Sequence, residues 1–241
     1  MTRRAFFAAI AALQPENRDV WLKLDLLRGT EQNRFPGATP ICFGSLLKPF
    51  LALAFSSTHP RFPVIHCAGS STRCWYSRGH GPQDIVSALS NSCNTYFLAL
   101  AKSLDRAALD ETALRFGLVP PDRALPVANL IGLSSGWPQA PGSVARAFAS
   151  LAQQSADPVV ATVLSGMARC ARTGTARRAG FSCYAKTGTA PCSHVPRAPG
   201  DGFALAIYPP GEPRHVLLLG CHSTTGAHAA SKLKPIAASL V

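Results

Sequence analysis

Apolar and polar residues alternate through most of residues 19–27, in Val20-Trp21-Leu22-Lys23-Leu24-Asp25, before the run meets Arg28-Gly29-Thr30. That pattern predicts a half-buried strand entering a turn. Two further apolar runs, at 202–208 and 215–221, are joined by the turn-rich Pro209-Pro210-Gly211-Glu212-Pro213 and predict a pair of strands. The segment 181–185, rich in aromatic and small residues, leads into Lys186-Thr187-Gly188-Thr189 and predicts another strand, ended by Pro191. An amphipathic helix is expected over 229–240, placed to cover the resulting antiparallel sheet. The stretch 45–172 reads as mainly helical, with interruptions at 60–81, around Pro120-Pro121, and at 138–142.

The expected architecture is therefore α+β: an antiparallel β-sheet flanked by helices, with an inserted, mainly helical subdomain. The chain of 241 residues, 47% hydrophobic and 15% charged, suffices for one sizeable core. One domain over 1–241 is expected, divided into a sheet subdomain at about 14–44 and 173–241 and a helical subdomain at about 45–172. No repeat or low-complexity linker interrupts it.

Lys and Arg total 24 against 12 acidic residues, a formal charge of +12. Such an excess suits an anionic surface or polymer. The basic residues are scattered, with small clusters at 3–4, 169–178 and 232–234, and no element concentrates them with aromatics. Nucleic acid is accordingly not expected as a partner; a carboxylate-bearing peptide, an acidic envelope polymer and plain solubility charge all account for the excess. At the N-terminus, Arg3-Arg4 precede a short apolar run through Leu13, too short to span a bilayer. An amphipathic first helix is favoured there over a clipped export signal or a late start.

Chemistry enters with three short motifs in one order: Ser45-Leu46-Leu47-Lys48, Ser92-Cys93-Asn94 and Lys186-Thr187-Gly188-Thr189. Ser45 and Lys48, three apart at the head of an apolar run, share one face of a helix. A serine hydroxyl needs an adjacent base to become a nucleophile, and an amine serves once burial or a neighbouring cation such as Lys186 lowers its pKa. Ser92 and Asn94 flank Cys93 in a connection between two helical stretches, so a proton-relaying hydroxyl and a hydrogen-bonding carboxamide can face one cleft. Gly188 would let a substrate backbone approach the strand, and Lys186 offers a point charge to a carboxylate. This is recognition of a peptide end by strand addition. Arg172-Thr173-Gly174-Thr175 is a near copy of the third motif expected in a turn.

Eight cysteines are present. Cys67 with Cys74, and then Cys170 with Cys183, are the best candidate disulfide pairs by their positions. A zinc site built from His66, Cys67, Cys74 and His80 is the minor alternative, its spacing matching no standard finger. Cys93 is expected to pack inward.

The S-x-x-K, S-x-N and K-T-G-T set resembles the penicillin-binding protein transpeptidases and the related serine β-lactamases. Phe35-Pro36-Gly37-Ala38, Gly79-His80-Gly81, the segment 88–97, and Leu164-Ser165-Gly166-Met167 with Gly174-Thr175-Ala176 resemble the class B transpeptidases more than the β-lactamases. The resemblance covers about residue 19 to the C-terminus. It implies a β-lactamase/transpeptidase-like fold and a serine acyl-enzyme mechanism on D-alanyl-D-alanine stem peptides in peptidoglycan cross-linking, with Ser45, Lys48 and Ser92 catalytic. Asn94, Lys186, Thr187, Gly188 and Thr189 would bind substrate, and the N–H groups of Ser45 and Thr189 would form the oxyanion hole. No cofactor is implied. The implied partners are stem peptides, β-lactams and cell-wall assembly proteins, and the implied location is extracytoplasmic, in the cell envelope. A D,D-carboxypeptidase, a class D-like β-lactamase and a non-catalytic penicillin-binding sensor stay open as alternatives. No deacylating carboxylate is evident, since Asp105, Asp110, Glu111 and Asp122 lie on stretches that read as peripheral.

Overall fold

The structure, a computed structural model, describes residues 19–134, 136–192 and 195–240. The apolar run ahead of Gln14, expected to form a first helix, lies outside the described residues.

Five strands form one antiparallel sheet in the order β2-β1-β7-β6-β5. They are β1 (Val20–Asp25), β2 (Thr30–Asn33), β5 (Tyr184–Ala190), β6 (Asp201–Tyr208) and β7 (His215–Cys221). The period of two sorts the central strands between two apolar layers. Phe203, Leu205 and Ile207 of β6, with Val216 and Leu218 of β7, join the larger core against the helical segment. Ala204, Ala206, Leu217 and Leu219 face the opposite layer with Ala229, Ala230 and Leu233. Burial on both faces explains why these two strands read as nearly unbroken apolar runs, whereas β2, fully exposed at the sheet edge, carries no apolar signal.

Between β2 and β5 the chain forms helices α1 (Lys48–Thr58), α2 (Ile85–Ser90), α3 (Asn94–Lys102), α4 (Arg106–Arg115), α5 (Val127–Leu130), α6 (Pro141–Gln153) and α7 (Pro158–Arg172). The helix starts follow capping chemistry. Asp84 accepts from the Ser87 N–H at 2.7 Å, and Asp157 accepts from the N–H groups of Val159 and Val160 ahead of Pro158. Phe50 of α1 is fully buried against Phe116 and Phe148, anchoring that helix in the larger core.

Several expectations need correction. The interruption at 138–142 ends earlier, because Pro141 opens α6 and Gly142 is helical. Within 60–81 the chain forms most of a small hairpin of β3 (Ile65–Cys67) and β4 (Gly81–Gln83). The C-terminal helix divides into α8 (Gly226–Ser231) and α9 (Leu233–Ser239) around Lys232, whose ammonium pairs with Asp19 at 2.8 Å. No disulfide joins Cys67 to Cys74 or Cys170 to Cys183, so neither expected pair forms.

Candidate active site

Ser45 lies in a 3-10 turn, Gly44–Leu47, that runs directly into α1. The Lys48 N–H donates to the Ser45 carbonyl, so the two residues sit one turn apart as their spacing requires. Gly44 makes this turn possible: its φ is +56°, and a Cβ there would lie 2.3 Å from the Thr189 carbonyl oxygen of β5. The serine is thereby held against the K-T-G strand.

Gly188 has the same architectural task. A Cβ on it would lie 2.1 Å from the Phe43 carbonyl oxygen and 3.1 Å from the Leu46 nitrogen. Its missing side chain seats the Ser45 turn on β5, and Gly188 also lines the cavity described below. Gly132, at φ +83°, admits the Gly44 backbone from the other side, with its absent Cβ only 2.2 Å from the Gly44 carbonyl carbon.

The second motif falls between α2 and α3, as expected, with Asn94 the first residue of α3. Ser92 adopts φ +50°, a left-handed conformation uncommon outside glycine, and so turns its carbonyl and hydroxyl toward two different lysines. Lys48 Nζ donates to the Ser92 carbonyl at 2.9 Å and to Asn94 Oδ1 at 2.7 Å. Lys186 Nζ donates to Ser92 Oγ at 2.9 Å and to the Thr187 carbonyl at 2.8 Å. Ser92 is thus the bridge between the two ammonium groups.

Both lysines are fully buried, and their hydrogen-bond partners here are neutral. Burial foremost, and then the Lys186 charge, hold the Lys48 amine well below the ordinary lysine range, against a weaker opposing effect of Cys93 and Cys74. Burial pulls Lys186 down to about 8. A buried amine that readily loses its proton, next to a serine, is the arrangement a lysine base requires.

A cavity of about 470 Å³ opens over these groups, lined by Ser45, Ser92, Asn94, Thr175, Thr187, Gly188 and Thr189 together with Trp75, Gly132 and Leu133. Six of the eight expected site residues reach its wall. The two lysines lie behind it, so Lys186 presents its charge through Ser92 and the Thr187 backbone, not as an exposed point charge.

Sequence reasoning missed two contributors. Thr175 sits in the supposed look-alike turn, yet its hydroxyl bonds that of Thr187 at 2.5 Å. Gly174 allows this, because a Cβ there would lie 2.2 Å from the Ser90 carbonyl oxygen, which accepts from the Thr175 N–H. Trp75 is exposed at the cavity rim and donates from Nε1 to the Asn91 carbonyl at 3.1 Å. Its neighbourhood in sequence is a polar loop with no periodicity to mark it.

Among the described residues lining the cavity there is no carboxylate. Asp105 caps α4, Asp110 pairs with Arg123, and Asp122 accepts from the Ala124 N–H, all away from this wall. The metal grouping is also corrected: His66 is exposed, and Cys93 stands with Cys67, Cys74 and His80 instead.

No protein-family model matches this sequence, and no curated protein matches it. Solved structures do match by shape. The Pseudomonas aeruginosa PBP2 in complex with WCK 5153 superposes at a TM-score of 0.74 and 18% identity, over 100% of this chain and 75% of that one. The Helicobacter pylori penicillin-binding protein PBP2, in its complex with MreC, gives 0.70 and 14% over 95% and 61%, so this chain spans less than two thirds of it. A β-lactamase from Burkholderia ambifaria gives 0.65 and 18% over 96% and 98%. The fold expected from the motifs is therefore the one present: that of penicillin-binding protein transpeptidase domains and of a β-lactamase.

Proposed function

We propose that this chain is a penicillin-binding, D,D-transpeptidase-like serine acyltransferase acting on D-alanyl-D-alanine stem peptides during peptidoglycan cross-linking. The observation that carries the reading is the shared hydrogen-bond system beneath the cavity, in which Ser92 links Lys48 to Lys186 one turn from Ser45. Fold similarity alone would not distinguish an enzyme from a binding module. Two buried lysines with lowered pKa values on one serine favour chemistry over structure, because each imposes a desolvation penalty on the fold.

In this mechanism Ser45 Oγ attacks the carbonyl carbon of the penultimate D-alanine and Lys48 Nζ accepts its proton. The N–H groups of Ser45 and Thr189 stabilise the developing oxyanion. As the C–N bond breaks, the departing D-alanine nitrogen takes a proton through Ser92, leaving an ester on Ser45. An amine of a neighbouring strand then attacks that ester and completes the cross-link. Asn94 orients the stem peptide. The hydroxyls of Thr187, Thr189 and Thr175 receive the terminal carboxylate, with Lys186 supplying positive potential from behind them. A β-lactam would form the same ester and remain on it.

The D,D-carboxypeptidase and β-lactamase readings share acylation and differ in using water as the acceptor. Among the described residues lining the cavity there is no carboxylate to activate water as a general base, which favours the amine acceptor. Such a role places the protein on the outer side of the cytoplasmic membrane, beside its wall substrate. Among the described residues, no helix is long and apolar enough to cross a membrane.

The test is labelling of the purified protein with a fluorescent penicillin, followed by peptide mass spectrometry. One adduct on the Ser45 peptide is expected, and none in folded Ser45→Ala. An adduct on another residue, or no adduct on folded wild-type protein, would overturn the assignment.

A further inference from the structure

Around Cys93 of the second motif, four side chains of a separate kind converge. Cys67 ends β3, Cys74 and His80 lie on the loop leading to β4, and Cys93 sits between Ser92 and Asn94. Their sulfur and nitrogen atoms all lie within 4.8 Å of one another. His80 Nδ1 stands 3.5 Å from Cys67 Sγ and 3.5 Å from Cys74 Sγ, and Cys74 Sγ is 3.9 Å from Cys93 Sγ.

These separations match the edges of a tetrahedron. Zinc–sulfur bonds of about 2.3 Å and zinc–nitrogen bonds of about 2.0 Å imply ligand edges of about 3.8 Å between sulfurs and about 3.5 Å between sulfur and nitrogen. A disulfide would need its sulfurs about 2.0 Å apart, and would leave one thiol and the imidazole without a partner. We propose that Cys67, Cys74, His80 and Cys93 form a tetrahedral structural site for Zn²⁺, with three thiolates and the His80 Nδ1 as ligands.

The surroundings are built for it. The N–H groups of Gly69 and His80 are directed at the Cys67 sulfur, those of Tyr76 and Asn94 at the Cys74 sulfur. The Thr95 hydroxyl donates to Cys67 Sγ at 3.3 Å. Donors of this kind orient thiolate ligands and offset their charge. Two glycines hold the loop shut: a Cβ on Gly69 would lie 1.9 Å from the Ser77 carbonyl oxygen, and one on Gly79 would lie 2.3 Å from the Cys67 carbonyl oxygen. Cys67, Cys74 and Cys93 are all buried, which closes the site to a fifth ligand and suits a structural metal more than a catalytic one. Binding displaces the thiol protons to solvent, giving a centre of net charge −1 with no change in oxidation state.

The position of Cys93 gives the site its consequence. The residues on either side supply both oxygens that hold Lys48. A metal on Cys93 would therefore clamp the Ser92–Asn94 backbone where the two lysines meet. The metal site itself stands independently of the acyltransferase reading, and the test reads the metal directly.

The purified, fully reduced chain is first assayed for metal by elemental analysis, then stripped with a chelator and titrated with Co²⁺. About one zinc per chain is expected, with a sulfur-to-cobalt charge-transfer band that saturates near one equivalent and is displaced by Zn²⁺. Cys74→Ser and Cys93→Ser should weaken Co²⁺ binding by at least about tenfold. Should those variants fail to fold, differential alkylation of the wild-type chain replaces them: chelation should expose Cys67, Cys74 and Cys93 together while Cys170 stays protected. Folded, reduced protein that shows neither zinc nor the charge-transfer band overturns the proposal. So does metal bound equally well by folded Cys74→Ser and Cys93→Ser, or a chelator that changes the alkylation of none of the three.

Discussion

Replacing Lys186 by methionine removes one of two buried ammonium groups while keeping most of the side chain's length, and its effect should appear in the pH dependence of acylation. The two amines contact opposite ends of the same serine, each at 2.9 Å, one through its carbonyl and the other through its hydroxyl. For two unit charges about 5–8 Å apart at an effective dielectric of about 20, the repulsion is about 2–3 kcal/mol. That repulsion favours the neutral amine and adds to burial in lowering the Lys48 pKa. The coupling acts while Lys186 is charged, which holds below its pKa of about 8. In the proposed mechanism the active base is neutral Lys48, so acylation should be present above the lowered Lys48 pKa and lost as pH falls through it. Without the Lys186 charge the Lys48 pKa rises, and the acid limb of the second-order acylation rate constant should move toward alkaline pH. Stopped-flow labelling with a fluorescent penicillin across the pH range measures this. The position of the limb is the readout, because its height also falls with the lost Ser92 contact. A limb that stays in place, or moves to lower pH, would refute the claim that Lys186 depresses the Lys48 pKa.

Gly188→Ala places a Cβ about 2 Å from the Phe43 carbonyl oxygen, so it should displace the Ser45 turn, cost about 1–3 kcal/mol in a thermal melt and sharply reduce penicillin labelling; unchanged labelling would show that the turn tolerates the shift. Thr175→Val removes the hydroxyl paired with Thr187, and the second-order acylation constant should fall about tenfold while the melting temperature drops modestly, as the loss of one part-buried hydrogen bond of the resting fold requires; unchanged acylation would show that this hydroxyl has no part in the site. With no carboxylate among the described residues of the cavity wall, the Ser45 ester should persist for minutes or longer when the labelled fraction is followed after excess unlabelled drug is added. Rapid repeated turnover would instead favour the β-lactamase reading, with carboxylation of Lys48 the first modification to seek.

What the sequence by itself determined here is local. The spacing of Ser45 and Lys48 follows from one helical turn, Asp84 and Asp157 announce helix starts through their own next few N–H groups, and β6 and β7 are marked by apolar runs of strand length. The motif set was enough to expect the α+β fold and the main components of the candidate site. Contacts between distant segments followed another logic. Nothing around Gly188 indicates that its missing Cβ serves the carbonyl of Phe43, and nothing around Thr175 distinguishes a turn facing solvent from one facing Thr187. Cys93 read as an inward-packing residue until the β3–β4 loop brought Cys67, Cys74 and His80 to it, while His66, one residue from Cys67, points away. The two lysines were expected to lie near each other; that Ser92 connects them, and that both lie behind the wall, depends on its left-handed backbone and on how α1 and β5 pack around it. Periodicity and capping act over a turn or two of chain, so they are written locally. Close approach and burial depend on which surfaces meet, and only the tertiary structure brings those surfaces together.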